Sequence, residues 1–282
     1  MPASSPSILQ SLGELPEYFQ VLYNLVARDL KIKYQRSAMG FLWTLIQPAF
    51  MLGIYVVIFG VVLKMGIPNF WAYLIAGLLP FQFLIGATIE GARSVQSNGN
   101  LIRKIYFPPE VLVIATVTAK LIEFLLHLAV GIVLLILLHH GPEVRFSLYH
   151  ALVVLPGAIL LLYLFALGLA LPLAAWSVIY RDLEHIIALA MTAWVYLTPI
   201  FWNLGSVRKH LGSAATWFVL NPAMDIIELF RGPLYYGRWP LNQAVGGGPL
   251  AAWGVAIAMG FCFFLGGYAL FNRSKGILAE VV

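Results

Sequence analysis

Lys120, Glu123 and His127 stand at i, i+3 and i+7 in a run, 111–138, that is otherwise apolar. On a helix these three share one face. Ionisable groups in such a setting either pair between helices or subunits or pass protons along a relay, and the spacing admits both. A second constellation lies near the N-terminus. Lys33 follows Val26 by seven residues and Arg36 follows Leu22 by fourteen, so two cations continue an apolar stripe. They can snorkel to lipid headgroups, or they can meet an anion carried by a lipid. The third group is aromatic: Tyr55, Phe59, Tyr73, Trp194 and Tyr196 lie too deep in apolar runs for an interfacial belt. Such rings either pack helices together or offer π-faces on which the CH faces of sugar rings can stack.

Several chemistries lack their residues. There is no G-x-x-x-x-G-K-[ST], so ATP binding by a P-loop is not expected of this chain. There is no G-x-S-x-G, no H-E-x-x-H and no paired cysteine motif, so neither a nucleophile nor a metal site is expected. His139-His140 is a weak metal candidate in a loop. The single cysteine, Cys262, lies in an apolar run and excludes an intrachain disulfide framework.

The elements that must position these residues follow from composition. Of the 282 residues, 61% are hydrophobic and only 10% charged. This excludes an ordinary cytosolic globular protein, a disordered chain and a nucleic-acid-binding domain. A helix needs roughly 20 apolar residues to cross the hydrocarbon. Runs that meet the need are 41–63, 65–89, 111–138, 151–180, 186–207 and 250–271, predicting six spans in one all-α transmembrane domain over 1–282. Between the last two, 206–219 and 223–230 are too short to cross. With Asn221-Pro222 between them and Gly232-Pro233 after them, they predict a re-entrant pair of half-helices within 206–236.

Six spans place both termini on one side. That side collects ten Lys and Arg residues (Arg28, Lys31, Lys33, Arg36, Arg93, Arg103, Lys104, Arg181, Arg273 and Lys275) against six on the other. The excess predicts cytoplasmic termini and half-helices facing outward. The N-terminus shows no cleavable signal pattern. Over 16–36, Glu17, Gln20, Asn24, Arg28, Lys31 and Gln35 recur on one face and Phe19, Leu22, Val26 and Leu30 on another. This is the pattern of an amphipathic helix along the cytoplasmic interface. Between spans two and three, a polar stretch leads into Leu101-Ile102-Arg103-Lys104-Ile105-Tyr106-Phe107, stopped by Pro108-Pro109. Its crowded basic and aromatic residues suit a knob, 98–108, that docks on a soluble partner.

These motifs carry a resemblance. Arg28-Asp29-Leu30-Lys31-Ile32-Lys33-Tyr34, with Ser37, Gly40, Leu42-Trp43 and Gln47-Pro48, resembles the opening of permease subunits of polysaccharide ABC exporters. Asn100 to Pro108 is similar to their coupling-helix segment. Tyr180-Arg181-Asp182-Leu183 and Leu197-Thr198-Pro199-Ile200 resemble their fourth loop and fifth span, and Asn221-Pro222 precedes the second outer half-helix as it does there. The resemblance covers about Pro16 to Lys275. It implies a homodimer in the bacterial inner membrane, joined to two copies of an ABC ATPase that holds the ATP and Mg; no cofactor belongs to this chain. The implied substrate is a glycan of O-antigen type on an undecaprenyl-pyrophosphate carrier, with teichoic acid and capsule exporters as relatives. Leu101, Ile102, Arg103, Lys104, Tyr106 and Phe107 would then couple to the ATPase. Arg28, Lys33 and Arg36 would meet the lipid pyrophosphate, and Tyr55, Phe59, Tyr73, Trp194 and Tyr196 would line the glycan path. The rival reading is a proton-coupled secondary transporter using Lys120, Glu123 and His127, although no strong inverted repeat supports it.

Overall fold

A computed structural model describes residues 15–34, 42–99, 101, 108–138, 145–180, 182–205, 221–241 and 248–281, and those residues form helices without a strand. A 3-10 turn, Leu15–Tyr18, leads into α1, Phe19–Tyr34. Then come α2, Leu42–Tyr55, running on as a π-helical segment Val56–Val62; α3, Phe70–Ser97; α4, Glu110–Leu137; and α5, Leu148–Ile179. The chain continues with α6, Leu183–Leu197; α7, Pro222–Arg231, extended by a π-helical turn Gly232–Tyr236; and α8, Pro249–Val281.

Five of these helices are long and apolar enough to cross a membrane: Leu45–Val62, Phe70–Ser97, Glu110–Leu137, Leu148–Ile179 and Pro249–Lys275. The expected fifth span, 186–207, is present only as α6, which is apolar but has 15 residues. The Thr198-Pro199 step stops it, because proline disfavours helical backbone in the residue before it, and Thr198 is extended. The expected second span also shifts, from 65–89 to Phe70–Ser97. It starts later because Lys64, Gly66 and Asn69 take left-handed backbone. It runs on past Glu90 and Arg93 because both charges find partners on neighbouring helices, Lys120 and Glu184.

α3 is the central helix. Of its apolar window 78% is buried, against 0% for the window in α2 and its extension, which lies at the edge of the bundle. α3 packs on α4 and α5, and α5 packs most extensively on α8. Glycines allow that last approach: a Cβ on Gly267 would fall 1.9 Å from the Gly168 carbonyl oxygen, and one on Gly168 would overlap the backbone of Phe263. Helices without large hydrophobic gain from association come together through such small residues.

The apolar stripe of α1 folds onto α4. Leu25 and Val26 are buried with Val111, Leu112, Ala115 and Ala119, and Leu22, Leu30 and Leu101 pack around them. Phe19 and Tyr23 stay exposed. Polar contacts gather at this end of the bundle: Lys275 with Glu110 at 2.6 Å, Arg93 with Glu184 at 2.8 Å, and Arg28 with Asn98 at 3.0 Å.

At the opposite end α7 lies on α3, α5 and α8. Asn221 caps it by accepting from the Ala223 N–H at 3.2 Å, and Pro222 takes the first helical position, where a missing N–H costs nothing. The expected second half-helix, 223–230, is thus helical and one residue longer at each end. The first expected half-helix, 206–219, lies outside the described residues, as do Arg36, the 102–107 part of the coupling segment and His139-His140.

Candidate functional site

The cations of α1 and the ionisable face of α4 meet. Because the buried stripe of α1 points at α4, its continuation at Lys33 reaches Glu123, with Nζ 2.6 Å from Oε2. Glu123 also receives Lys120 at 3.4 Å, and Lys120 pairs with Glu90 on α3. The four groups form a chain, Lys33–Glu123–Lys120–Glu90, with no net charge when all are ionised. They line a cavity of about 320 Å³ with Asp29, Ile32, Thr116 and Ala119. Glu123 is buried while Lys33 and Glu90 are half exposed, so the chain runs from the helix packing to the open edge. His127 lies one turn deeper on α4, in a separate apolar cavity of about 210 Å³ walled by α2, α3 and α4. The three α4 residues thus divide between two cavities: Lys120 and Glu123 are ion-paired at one, and His127 lines the other.

Arg28 pairs with Asp29 at 2.9 Å and donates to Asn98 Oδ1 at 3.0 Å. Asn98 in turn donates to the Ser94 carbonyl at 2.8 Å. α1 is thereby tied to the C-terminal end of α3, at the start of the expected coupling segment, and Leu101 packs on the same apolar cluster.

Among the five aromatics, the structure brings three together. Tyr55, Phe59 and Tyr196 surround Phe201, with ring centroids 4.8, 4.7 and 5.5 Å away, and the Phe59 ring stacks on it. Tyr196 is more than half exposed and Tyr55 and Phe59 are half-buried. Trp194 sits apart, edge-on to Phe81 and Phe165, and its indole N–H donates to Asn221 at 2.9 Å. Tyr73 is fully buried; its hydroxyl donates toward the carbonyls of Trp202 at 2.9 Å and Pro199 at 3.2 Å.

Sequence reasoning missed the polar group on Tyr73. Arg231, at the C-terminus of α7, is the largest fully buried side chain among the described residues. Its guanidinium lies 4.0 Å from the Tyr73 ring centroid, donates to Glu228 at 2.9 Å and donates to the Pro199 carbonyl. Burial raises the Glu228 carboxyl above its ordinary pKa, and the adjacent Arg231 charge opposes that rise. The signal was present: Asp225, Glu228 and Arg231 stand at i, i+3 and i+6 on a helix flanked by apolar residues. Phe201 falls inside the expected run 186–207; the structure sets it apart because the helix stops at Leu197 and the Thr198-Pro199 break carries Phe201 onto a turn.

The chain is similar to known proteins along most of its length. The chain is 31% identical over 233 residues to the O-antigen export system permease protein RfbA of Myxococcus xanthus, covering 83% of this chain and 87% of that one. It is 26% identical over 264 residues to the Klebsiella pneumoniae protein of the same name, covering 94% and 95%. It is 25% identical over 211 residues to the polysialic acid transport protein KpsM of Escherichia coli, covering 73% and 78%. The family model described as "ABC-2 type transporter" matches residues 20–235, from α1 through the end of the α7 extension. A match over that much of the chain, from the helix that bears Lys33 to the helix that bears Arg231, means that this protein belongs to the ABC-2 type transporter family.

Proposed function

We propose that the chain is the membrane subunit of an ATP-driven exporter that moves a lipid-linked polysaccharide of O-antigen type across the bacterial inner membrane. The observation that carries this reading is the near full-length match to an O-antigen export permease, 94% of this chain against 95% of the relative. Two copies of the chain act with two copies of a separate ABC ATPase, which binds ATP and Mg; the missing P-loop supports that division of labour. The chain crosses six times, with α6 and the residues after it as the fifth crossing, and keeps both termini in the cytoplasm as its Lys and Arg distribution favours. A teichoic acid or capsule exporter is the second reading; the match to the polysialic acid transport protein KpsM supports export of a polysaccharide other than O-antigen.

In this mechanism the 101–107 segment receives the ATPase, with Leu101, Ile102, Arg103, Lys104, Tyr106 and Phe107 as the contact. Motion passes to α1 through Asn98 and Arg28, whose side chains are hydrogen-bonded. Arg28, Lys33 and Arg36 attract the pyrophosphate of the carrier lipid; Lys33 reaches it by leaving Glu123, which keeps Lys120 as a partner. The glycan slides over Tyr55, Phe59 and Tyr196, grouped by Phe201, because stacking on ring faces tolerates displacement along the polymer. Tyr73 and Trp194 shape the wall rather than offer a free ring face. The proton-coupled alternative loses support from the ion pairing of Lys120 and Glu123, which occupies two of its three residues.

Purification of the tagged chain from native membranes tests the reading. A P-loop ATPase is expected to co-purify in equal numbers, with a lipid-linked glycan identified by mass spectrometry. Recovery without an ATPase, together with transport abolished by a proton uncoupler, would establish the secondary transporter instead.

A further inference from the structure

Phe201 is the ring that Tyr55, Phe59 and Tyr196 share, yet it stands on a non-helical turn, where backbone alone does not fix a side chain. Polar side chains from two other elements hold that turn on both flanks. On one flank Asn221 donates to Thr198 Oγ1 at 2.9 Å and to the Leu197 carbonyl at 3.3 Å, while its own oxygen accepts from Trp194 at 2.9 Å. On the other flank the Pro199 carbonyl accepts from the Arg231 guanidinium, and the Tyr73 hydroxyl donates toward the Pro199 and Trp202 carbonyls, bracketing Phe201 in the chain. Arg231 is aimed at Pro199 by three restraints. Glu228 binds one end of its fork, the Tyr73 ring lies beneath it, and Gly77 leaves the recess it fills; a Cβ there would stand 2.8 Å from Nη2.

We propose that Arg231 is a positioning residue for the aromatic path: with Tyr73 it fixes the 198–202 turn of one element from α7 and α3, and so sets where Phe201 gathers Tyr55, Phe59 and Tyr196. A fully buried guanidinium is expensive to hold in place. A planar fork that can serve a carboxylate and a backbone carbonyl together is suited to Arg and not to Lys. The outer half-helix thereby becomes part of the glycan path without lending a ring to it. The proposal rests on the reading of these aromatics as a glycan surface, but its geometric part can be measured without export.

The test places cysteines at 59 and 201, the stacked pair, in a Cys262→Ser background of the full-length chain in membranes, and follows closure by a short bis-methanethiosulfonate. In the parent pair, cross-linking is expected to be fast. Tyr73→Phe, which removes only the hydroxyl, and Arg231→Met are each expected to slow it by about five- to tenfold, the scale of one lost hydrogen bond. Arg231→Lys is expected to fail to restore the rate. Should Arg231→Met not accumulate, Tyr73→Phe and Gly77→Ala, which crowds the guanidinium without deleting it, carry the measurement. Parent rates in Tyr73→Phe and Gly77→Ala would overturn the proposal. Polysaccharide export is read in parallel in strains with native rings at 59 and 201. Slower cross-linking with normal export keeps the positioning role and removes the rings from the glycan path. Unchanged cross-linking with impaired export removes the positioning role.

Discussion

At Lys33 a packing contact, the ion pair with Glu123, meets the proposed contact with the carrier lipid. Its ammonium sits 2.6 Å from Glu123, which is buried, so the pair costs desolvation that its Coulomb attraction must offset. Lys33 itself is 43% exposed, which keeps the net value near that of a surface pair, about 0.5–1 kcal/mol. Lys33→Glu places a third carboxylate beside Glu123 and Glu90, and the melting temperature in detergent is expected to fall by a few degrees. The double exchange Lys33→Glu with Glu123→Lys restores opposite charges across the contact and is expected to recover most of that loss. Export is expected to stay absent in the exchanged protein, because the cation on α1 is gone. Recovery of both stability and export would assign Lys33 to packing alone. The sequence placed Lys33 on the buried stripe of α1 correctly from its spacing after Val26. It could not show the partner, which lies 90 residues away on α4 and becomes a neighbour only after α1 has docked. For Arg231 the spacing after Asp225 and Glu228 was legible and the burial was not. A cation in a short outer segment resembles a solvated charge until Gly77 and Tyr73 are seen to enclose it.

At the scale of elements, what periodicity and length encode was readable and what charge pairing decides was not. α4 and α5 fall within a few residues of the expected runs, since uninterrupted apolar stretches leave a helix few alternatives. α3 outran its expected end because Glu90 and Arg93 were read as a boundary, whereas their partners on α4 and α6 let the helix continue. Two expectations follow for the elements. Gly267→Val inserts a side chain where even a Cβ meets the Gly168 carbonyl, so α5 and α8 must separate. The loss is expected to reach several kcal/mol and to be seen as failure to recover monodisperse protein by size exclusion. Asn98→Ala removes the hydrogen bond from Arg28 that ties α1 to the proposed coupling segment. ATPase docking is expected to persist in this variant while export falls by about tenfold or more, a scale set by one hydrogen bond to a charged group. Alanine at both Tyr106 and Phe107 is expected to remove docking itself, since interface aromatics often carry much of the binding energy. Wild-type recruitment in that double variant would move the ATPase contact elsewhere.

For the whole molecule, the two ends of the bundle carry different polar systems. One end holds ion pairs that join α1, α3, α4, α6 and α8; the other holds the buried Arg231 group under α7. A transporter driven from one side needs helices able to carry displacement between such ends, and α3, buried along most of its length, touches both. The membrane character and the order of the elements were legible from hydropathy and charge. The substrate was not, because ring faces and cations at this spacing recognise chemical classes rather than particular glycans. The proposed function requires that ATP hydrolysis by a separate subunit move a lipid-linked polysaccharide through this chain. Co-reconstitution of the chain with its co-purified ATPase in proteoliposomes, loaded on the outer leaflet with the lipid-linked glycan, measures that directly. With the ATPase facing outward, glycan is expected to become protected from an added glycosidase when ATP is supplied, to stay accessible with a non-hydrolysable analogue, and to be unaffected by a proton uncoupler. Protection that arises without hydrolysis, or that collapses with the uncoupler, would contradict the exporter.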